Sequence, residues 1–304
     1  MSGALEKKFQ EYGIPYRTDV CAALLSTFRI GGIVGIVAEP RCEGELLQAA
    51  TLCRACGAPY AVIGNGSNLL FEDGRIETVI IRTVALDAVR ITKTGAHASC
   101  GVPLPKLSAL TARAGFSGLQ FACGIPGTLG GGLAMNAGAH GKCLSDVVRA
   151  VRIWDPDTCE IKTDINFKWN TSYRNIGYKD KNTVFLSADL VLEPDKDPEV
   201  ILAEIKHLKV ARAAAQPLQF PNAGCAFCRP HPDLPIGKLL DELGCKGMAV
   251  GAAAVSQKHA AFIVNRGGAS ANDVKKLMLE IQKKVEKERG IILQSEIRII
   301  PSGP

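Results

Sequence analysis

The 304-residue sequence lacks several features that would place it in familiar classes of protein. It has no apolar run of about 18 residues, the length that a membrane-spanning helix requires. Its first residues, MSGALEKKFQEYG, contain no apolar core and are not expected to form a signal peptide. Only 6% of the residues are aromatic, and no basic run is interleaved with aromatic residues. We therefore expect a cytoplasmic protein that binds neither a membrane nor a nucleic acid.

Cysteine, in contrast, is abundant: there are 11 residues, scattered through apolar segments. Without an export signal they are expected to be reduced thiols. Two CxxC pairs, Cys53/Cys56 and Cys225/Cys228, could supply four zinc ligands, but they lie too far apart for a compact zinc site, and the first pair lies in a predicted helix. We therefore expect no metal, and we interpret the net charge of +6 as a preference for small anionic ligands.

The pattern of apolar runs and turn residues predicts a chain of short strands and helices in two or three subdomains. Helices are predicted at 43–56, 102–114, 195–215, 236–243 and 272–289, the last capped by Ser270 with Asp273. Strands are predicted at 33–38, 60–63, 78–82, 84–100, 147–154, 158–163, 183–192, 260–265 and 291–300. Residues 1–20 are interpreted as a polar lead-in and 217–235 as irregular. The predicted subdomains are 1–83, 84–196 and 197–304.

Two glycine-rich segments dominate the functional interpretation. Gly118 to Gly141, GLQFACGIPGTLGGGLAMNAGAHG, has eight glycines in 24 residues, a composition that disfavours a helix or an ordinary strand. Pro59 to Gly74, PYAVIGNGSNLLFEDG, contains a short strand that ends in a Gly/Asn/Ser turn, and it matches neither a Walker loop nor a Rossmann motif. Bare N–H groups in such segments suit a flat, phosphate-bearing ligand. The alternative is a buried, tightly turning loop without a ligand.

Two polar positions outside these segments are candidates for chemistry. Arg174 lies in a polar loop, NTSYRN, where its guanidinium group would clamp a carboxylate or phosphate, unless it is an ordinary surface arginine. Cys225 lies in NAGCAFCRP, and an ordinary thiol with a pKa of about 8.5 is mostly protonated at neutral pH. It could therefore donate a proton, act as a nucleophile, or simply fill a small apolar space.

Two further residues leave their roles open. Glu296 lies in the predicted strand 291–300, where strict alternation would place it on the same face as Gln294 and Arg298. That face is either exposed to water or buried with a function. His259 follows Ser256-Gln257-Lys258 and is either a general base or a hydrogen-bonded structural residue.

Taken in order, the motifs IGNGSNLL, CGIPGTLGGGLAMNAGAHG, SYRN, NAGCAFCRP, SQKHAAFIVN and SEIRII resemble the UDP-N-acetylenolpyruvoylglucosamine reductase family. The resemblance extends from about Thr27 to Ile300, nearly the whole chain. It implies an α+β fold with an FAD-binding region of the vanillyl-alcohol-oxidase type, formed by 1–83 and 84–196, and a substrate-binding domain at 197–304. No extra tyrosine-bearing insertion follows SYRN, so the chain resembles the shorter of the family's two forms.

The resemblance also implies roles for individual residues. The implied catalytic residues are Arg174, Cys225 and Glu296, and the implied substrate-binding residues are Tyr173, Arg229, Lys258 and His259. The implied FAD-binding residues are Ile63, Gly64, Asn65, Gly66, Ser67, Asn68, Leu69, Gly124, Ile125, Pro126, Gly127, Thr128, Gly130, Gly131, Ala134, Asn136, Ala137, Gly138 and Ala139. The implied partners are tightly bound FAD, NADPH and UDP-N-acetylglucosamine enolpyruvate, and we expect a monomer.

The implied reaction transfers a hydride from NADPH through FAD to the enolpyruvyl methylene carbon, after which Cys225 protonates the neighbouring carbon. Arg174 and Glu296 would stabilise the charge that develops on the carboxylate. The chain departs from the family at Cys225 and Asn222, where most relatives carry serine, and at Cys228 and Ala261. Two alternatives are another flavoenzyme of the same type, such as a sugar or alcohol oxidase, and a nucleotide-sugar-binding protein without redox function.

Overall fold

The structure, a computed structural model, describes residues 2–165, 183–194, 197–231 and 233–303, and its mixture of helices and strands confirms the α+β class. The α-helices are α1 (Ser2–Glu11), α2 (Glu43–Ala55), α3 (Leu104–Arg113), α4 (Leu129–Met135), α5 (Pro198–Ala215), α6 (Ile236–Glu242) and α7 (Ala271–Arg289). Short 3₁₀ helices lie at Ala22–Leu24, Gln120–Gly124 and Leu144–Asp146.

The first ten strands are β1 (Tyr16–Cys21), β2 (Ile33–Ala38), β3 (Tyr60–Ile63), β4 (Leu69–Phe71), β5 (Arg75–Ile76), β6 (Val79–Arg82), β7 (Val89–Thr92), β8 (Gly95–Ser99), β9 (Gly138–Ala139) and β10 (Lys142–Cys143). The remaining strands are β11 (Val148–Asp155), β12 (Glu160–Asp164), β13 (Val184–Val191), β14 (Asn222–Cys225), β15 (Ala249–Val250), β16 (Ala253–Val255), β17 (Phe262–Asn265) and β18 (Arg298–Ile300). Among the described residues, no helix is long and apolar enough to cross a membrane.

The chain forms two units, each built from segments that are not contiguous in sequence. The first unit consists of Met1–Tyr16, Ala38–Asn65 and Ile80–Arg212, and the second consists of Arg17–Val37, Gly66–Val79 and Ala213–Pro304. The boundaries fall inside β1, β2, β6 and α5 and inside the GNGSN turn. The three contiguous subdomains expected from the sequence remain a prediction.

A five-stranded antiparallel sheet forms the centre of the first unit, in the order β12-β11-β13-β8-β7. Its apolar side chains pack with those of α3 and α4 in one core, which includes Leu104, Leu107, Leu133, Val151 and Leu190. All five apolar residues of β11 are buried, and the adjacent buried pairs Ala150–Val151 and Ile153–Trp154 show that both faces of this strand are covered.

The glycine-rich segment contains a helix, α4, and the expectation that it would not be helical was wrong. Thr128 caps the helix, and its hydroxyl accepts a hydrogen bond from the N–H of Gly131 at 3.4 Å. A Cβ atom at Gly130 would lie 2.9 Å from the Cβ of Cys100, and one at Gly132 would lie 2.8 Å from a methyl group of Leu144. The glycines therefore allow α4 to pack closely on its neighbours, which offsets their low helix propensity.

The second unit contains the antiparallel sheet β14-β17-β16-β15, on which α7 packs. Two parallel pairs, β18 with β4 and β5 with β2, belong to the same unit. The apolar stripe of α7 is buried, and Ser270 and Asp273 form the expected capping box at its N-terminus.

Three expectations for local structure were wrong. Residues 1–20 form α1 and β1, because Leu5, Phe9 and Ile14 supply buried apolar contacts that the polar composition obscures. The irregular segment 217–235 contains β14, and the expected strand 291–300 is reduced to β18. The other predicted helices and strands agree with the structure to within a few residues.

Glu72 and Asp73 hold the N-terminal half of α7 in place. The Asp73 carboxylate accepts hydrogen bonds from the backbone N–H groups of Ala271 at 2.9 Å and Asn272 at 3.1 Å. Glu72 binds the ammonium group of Lys275 at 2.6 Å and both the N–H and the hydroxyl of Ser302. The hydrogen bond from Lys275, followed by those from Ser302, lowers the pKa of Glu72 to about 2.

We predict that Glu72→Gln destabilises the protein at pH 7 by roughly 2 kcal/mol, a value reduced to allow for the partial exposure of the ion pair. Because the folded-state pKa lies below the ordinary value of 4.5, this stability is present above pH 4.5 and is lost as pH falls towards 2. Urea denaturation at pH 7 and pH 4 should therefore show a smaller difference between variant and wild type at the lower pH. Glu77→Gln, which removes a carboxylate that is 60% exposed, is the control and should change stability by less than about 1 kcal/mol. A Glu72→Gln effect that is equal at both pH values would contradict this assignment.

Candidate active site

The first unit brings the two predicted ligand segments together. A Cβ atom at Gly64 would lie 2.0 Å from the hydroxyl oxygen of Thr128, so only glycine permits this approach. The side-chain amide of Asn65 donates to the carbonyl of Pro126 at 3.0 Å. Thr83 fixes the end of β3, because both its N–H and its hydroxyl donate to the carbonyl of Ile63. The two glycine-rich segments that the sequence suggested as parts of one ligand site are therefore in direct contact.

Beyond α4, the end of the glycine-rich segment is fixed by Asn136. This residue caps α4 in a left-handed conformation, with φ of 42°. Its side-chain oxygen accepts a hydrogen bond from the N–H of Ser145 at 3.1 Å, and its side-chain NH₂ group donates to the Ser145 hydroxyl at 3.2 Å. Gly138 then pairs with Cys143 in the hairpin of β9 and β10. The Asn136 side chain thus shapes the backbone of the segment.

The backbone N–H groups at the start of α4 are not all available to a ligand. Leu129 donates to the carbonyl of Val102 at 2.8 Å, and Gly130 donates to the carbonyl of Cys100 at 2.7 Å. The expectation that bare amides line the glycine-rich segment is wrong at Gly130. Gly131 donates to the Thr128 hydroxyl.

The second unit contains the other half of the GNGSN turn. Gly66 has a φ of 61°, and a Cβ atom there would lie 2.1 Å from the carbonyl oxygen of Leu25. The neighbouring Ser26 hydroxyl is buried and has no hydrogen-bond partner within the described ranges. The side-chain amide of Asn68 donates to the carbonyl of Glu296 at 2.9 Å, and the Asn68 carbonyl accepts from Arg298 at 3.0 Å.

Two predicted catalytic positions, Cys225 and Glu296, lie on adjacent segments of the second unit. The N–H of Glu296 donates to the carbonyl of Ala226 at 3.0 Å, and the N–H of Cys228 donates to the carbonyl of Gln294 at 2.9 Å. Phe227, fully buried, pairs with Ser295 between these bonds. The backbone pairing therefore places the residue after Cys225 directly beside Glu296.

Glu296 is buried, with 8% of its surface exposed, so the water-facing interpretation was wrong. That interpretation assumed strict alternation along a strand. Residues 291–297 precede β18, and Glu296 and Ile297 are both buried although they are adjacent. The structure matches the alternative of a buried carboxylate, and a function for it remains a prediction.

The predicted substrate-binding residues have different surroundings. Arg229 is half-buried at the end of the Cys225 segment. The ammonium group of Lys258 donates to the carbonyl of Ala213, in the last turn of α5, at 2.6 Å. Tyr173 and Arg174 lie outside the described residues.

His259 is packed among structural neighbours. Its ring meets that of Phe262 edge-on, with 5.0 Å between centroids, and its Nδ1 accepts from the N–H of Ala261 at 3.3 Å. Burial, followed by the charge of Lys246, lowers its pKa below 6.5. These contacts match the structural alternative for His259, and a role in substrate binding remains a prediction.

Comparison with known proteins connects these features. Residues 34–163 match the "FAD binding domain" family, and residues 216–300 match the C-terminal domain of UDP-N-acetylenolpyruvoylglucosamine reductase. Proteins named UDP-N-acetylenolpyruvoylglucosamine reductase are similar to the chain over most of its length. The one from Synechococcus sp. strain JA-3-3Ab is 38% identical, with 92% of this chain and 89% of the relative covered. The one from Heliobacterium modesticaldum is 40% identical, with 90% and 87% covered.

The chain belongs to the UDP-N-acetylenolpyruvoylglucosamine reductase family. A solved structure agrees: the crystal structure of the reductase from Thermus caldophilus aligns with a TM-score of 0.78 and 31% identity, covering 95% of this chain and 99% of that one. The expected combination of an FAD-binding region with a C-terminal domain is therefore confirmed. The protein is an FAD-dependent oxidoreductase of this family.

The residues of the two predicted segments fit FAD. Ile63–Leu69 and Gly124–Ala139 contain no charged residue, so no carboxylate there would repel a pyrophosphate. The Arg212 side chain lies over Gly124, where an added Cβ atom would be 2.6 Å from the arginine Cδ. The orphaned hydroxyl of Ser26, next to Gly66, is a further polar group that a ligand could satisfy.

Sequence reasoning missed Arg212 and Ser26. Arg212 lies in α5 and Ser26 in the loop before β2, and neither belongs to the glycine-rich motifs. No periodicity or spacing connects them with those motifs, because the contacts depend on the fold. Within the described ranges, no cluster of three or more His, Cys, Asp or Glu residues could hold a metal ion.

We predict that Gly64→Ala lowers stability by about 1–3 kcal/mol and reduces FAD retention, because the added methyl group overlaps Thr128. Urea denaturation and the ratio of flavin to protein after purification measure the two effects. The matched control in the same unit is Gly44→Ala, where the nearest atom to the new Cβ would be Cys42 Sγ at 3.9 Å. This control should retain both stability and flavin. Equal behaviour of the two variants would show that the contact between the segments is not required.

Proposed function

We propose that the protein reduces UDP-N-acetylglucosamine enolpyruvate to UDP-N-acetylmuramate, a precursor of peptidoglycan, with NADPH as the hydride donor. Family membership over both the FAD-binding region and the C-terminal domain supports this function. The observation that carries it is the backbone pairing of Ala226 with Glu296, because it joins two of the three proposed catalytic positions. When bound, FAD supplies the redox chemistry that transfers a hydride from NADPH to the methylene carbon of the enolpyruvyl group.

Cys225 is the proposed proton donor. After hydride addition, the neighbouring carbon of the substrate carries excess electron density and requires a proton. The S–H bond of Cys225 breaks as the new C–H bond forms, and the thiolate then takes a proton from solvent. The sum of the two steps consumes one NADPH and one proton for each substrate reduced.

Arg174 and Glu296 are the proposed stabilisers of the developing charge. Hydride addition moves negative charge into the substrate carboxylate, which a guanidinium group binds well. We propose that Arg174 supplies this group. A protonated Glu296 would donate a hydrogen bond to the same carboxylate, and its burial among backbone bonds keeps its position fixed.

Among the proposed substrate contacts, Arg229 follows Cys225 closely in the chain and provides a positive charge for the diphosphate of the substrate. Tyr173, Lys258 and His259 remain proposals; the Lys258 ammonium group donates one hydrogen bond to Ala213, and an ammonium group has three donors. A monomeric state also remains a prediction.

The function is tested under anaerobic conditions by following the absorbance of the flavin. NADPH should bleach the FAD-loaded protein, and added UDP-N-acetylglucosamine enolpyruvate should restore the oxidised band in proportion to the amount added. If only oxygen restores the band, the protein is an oxidase with a different substrate. If the protein retains no FAD, the non-redox alternative gains support.

The assignment of Cys225 leads to a separate prediction. Cys225→Ser should keep measurable activity, because a hydroxyl group can donate a proton from the same position. Cys225→Ala should lose activity by about 10²- to 10⁴-fold, the usual contribution of a general acid. Steady-state turnover and the rate of anaerobic flavin reoxidation provide the measurement, and flavin reduction by NADPH is the internal control. Equal activity in the two variants would remove Cys225 from the mechanism.

A further inference from the structure

The side chain of Asn222 organises the backbone immediately before Cys225. Its carbonyl oxygen accepts a hydrogen bond from the N–H of Gly224 at 3.0 Å, and its amide donates to the carbonyl of Phe220 at 2.9 Å. The bond from the Gly224 N–H to the Asn222 side chain, two residues earlier, forms an Asx turn. Gly224 has a φ of 78°, a conformation that favours glycine.

This turn coincides with a β-bulge between β14 and β17. Asn222 pairs with Val264, whereas Cys225 pairs with Phe262, so three steps along β14 correspond to two steps along β17. The two partner residues on β17 share a face of the sheet. Cys225 consequently lies on the same face as Asn222, whereas simple alternation would have placed it on the opposite face.

A second bond anchors Asn222 from outside the strand. The hydroxyl of Thr27 donates to the backbone carbonyl of Asn222 at 2.8 Å. This bond reaches only the backbone carbonyl of the first residue of β14 and takes no part in the Asx turn, which the side chain of that residue forms with Gly224. Beyond the bulge, the N–H of Ala226 donates to the carbonyl of Ala261, the residue just before β17, at 2.8 Å. Backbone pairing between the two segments therefore continues past Cys225.

We propose that Asn222 is a positioning residue for Cys225: its Asx turn stabilises the bulge that directs the Cys225 thiol towards the substrate carbon to be protonated. Asn222 acts through Gly224 and the bulge and does not itself touch the reacting atoms. The proposal deepens the proposed function and rests on it for the identity of the reaction. Its structural part, the control of the orientation of Cys225, can be tested without the reaction.

Three variants separate the contributions of Asn222. Asn222→Ala removes both side-chain bonds, and Asn222→Asp keeps an acceptor for Gly224 but loses the donor to Phe220. Thr27→Val is the matched control, because it removes one hydrogen bond to the backbone carbonyl of Asn222 and leaves the Asx turn intact. Thermal unfolding establishes that each variant is folded before its rates are compared.

The kinetic experiment measures the two half-reactions separately under anaerobic conditions. In Asn222→Ala, flavin reoxidation by UDP-N-acetylglucosamine enolpyruvate should slow by on the order of tenfold to a hundredfold, because a small misplacement of a reacting group has a large effect on rate. Flavin reduction by NADPH should change by less than about twofold, since it does not use Cys225. Asn222→Asp should recover most of the lost rate, and Thr27→Val should stay close to wild type.

A double-mutant cycle distinguishes positioning from general stabilisation. In a Cys225→Ala background, Asn222→Ala should cause little further loss of the reoxidation rate, because no thiol remains to be positioned. A loss by the same factor in both backgrounds would overturn the proposal. Slowing of both half-reactions to the same extent would also overturn it.

A chemical measurement tests the orientation of Cys225 independently of turnover. Iodoacetamide alkylates accessible thiols, and mass spectrometry gives the modification rates of Cys225 and Cys228 in the same protein. Asn222→Ala should change the ratio of the two rates, whereas Thr27→Val should not. An unchanged ratio would overturn the proposal even if the enolpyruvyl substrate is reduced. If the wild-type protein does not reduce that substrate but the ratio changes as expected, the proposed function fails and the positioning role of Asn222 stands.

Discussion

The backbone of Glu296 is held from both sides, and the arrangement of the second unit around the candidate catalytic residues depends on it. Its N–H donates to the carbonyl of Ala226, and its carbonyl accepts from the side-chain amide of Asn68. Two residues later, the N–H of Arg298 returns a hydrogen bond to the Asn68 carbonyl. An unpaired polar group in this buried position would cost about 1–3 kcal/mol, so the three segments are strongly constrained to meet. A residue of the GNGSN turn thereby fixes the backbone of the residue proposed as a catalytic carboxylate.

Local signals in the sequence were sufficient for most of the secondary structure. The strands Ile33–Ala38 and Tyr60–Ile63 are short apolar runs bounded by glycine, proline or charged residues, and the structure has them with the expected bounds. The capping box of α7 was equally visible, because Ser270 and Asp273 interact within one helical turn. The motifs of the GNGSN turn and the glycine-rich segment also identified the two parts of the chain that meet at Gly64 and Thr128.

The features that the sequence did not reveal depend on contacts between distant segments. Glycine occupies positions 130 and 132 of α4 because Cys100 and Leu144 leave no room for a larger side chain, and the local sequence does not show these contacts. The burial of Glu296 follows from its pairing with Ala226, whereas alternation along an assumed strand gave the wrong face. Asn68 was predicted as a cofactor contact, and its bond to Glu296 adds a structural role that no motif contains.

The bulge between Asn222 and Cys225 makes the number of residues in this segment as important as their identity. An insertion or deletion of one residue there would return the strand to simple alternation and turn the residue at position 225 to the opposite face. Substitutions that preserve the turn, in contrast, leave the direction of that side chain unchanged. The direction of the side chain at position 225 therefore depends on the number of residues in the segment more than on which small side chain stands there.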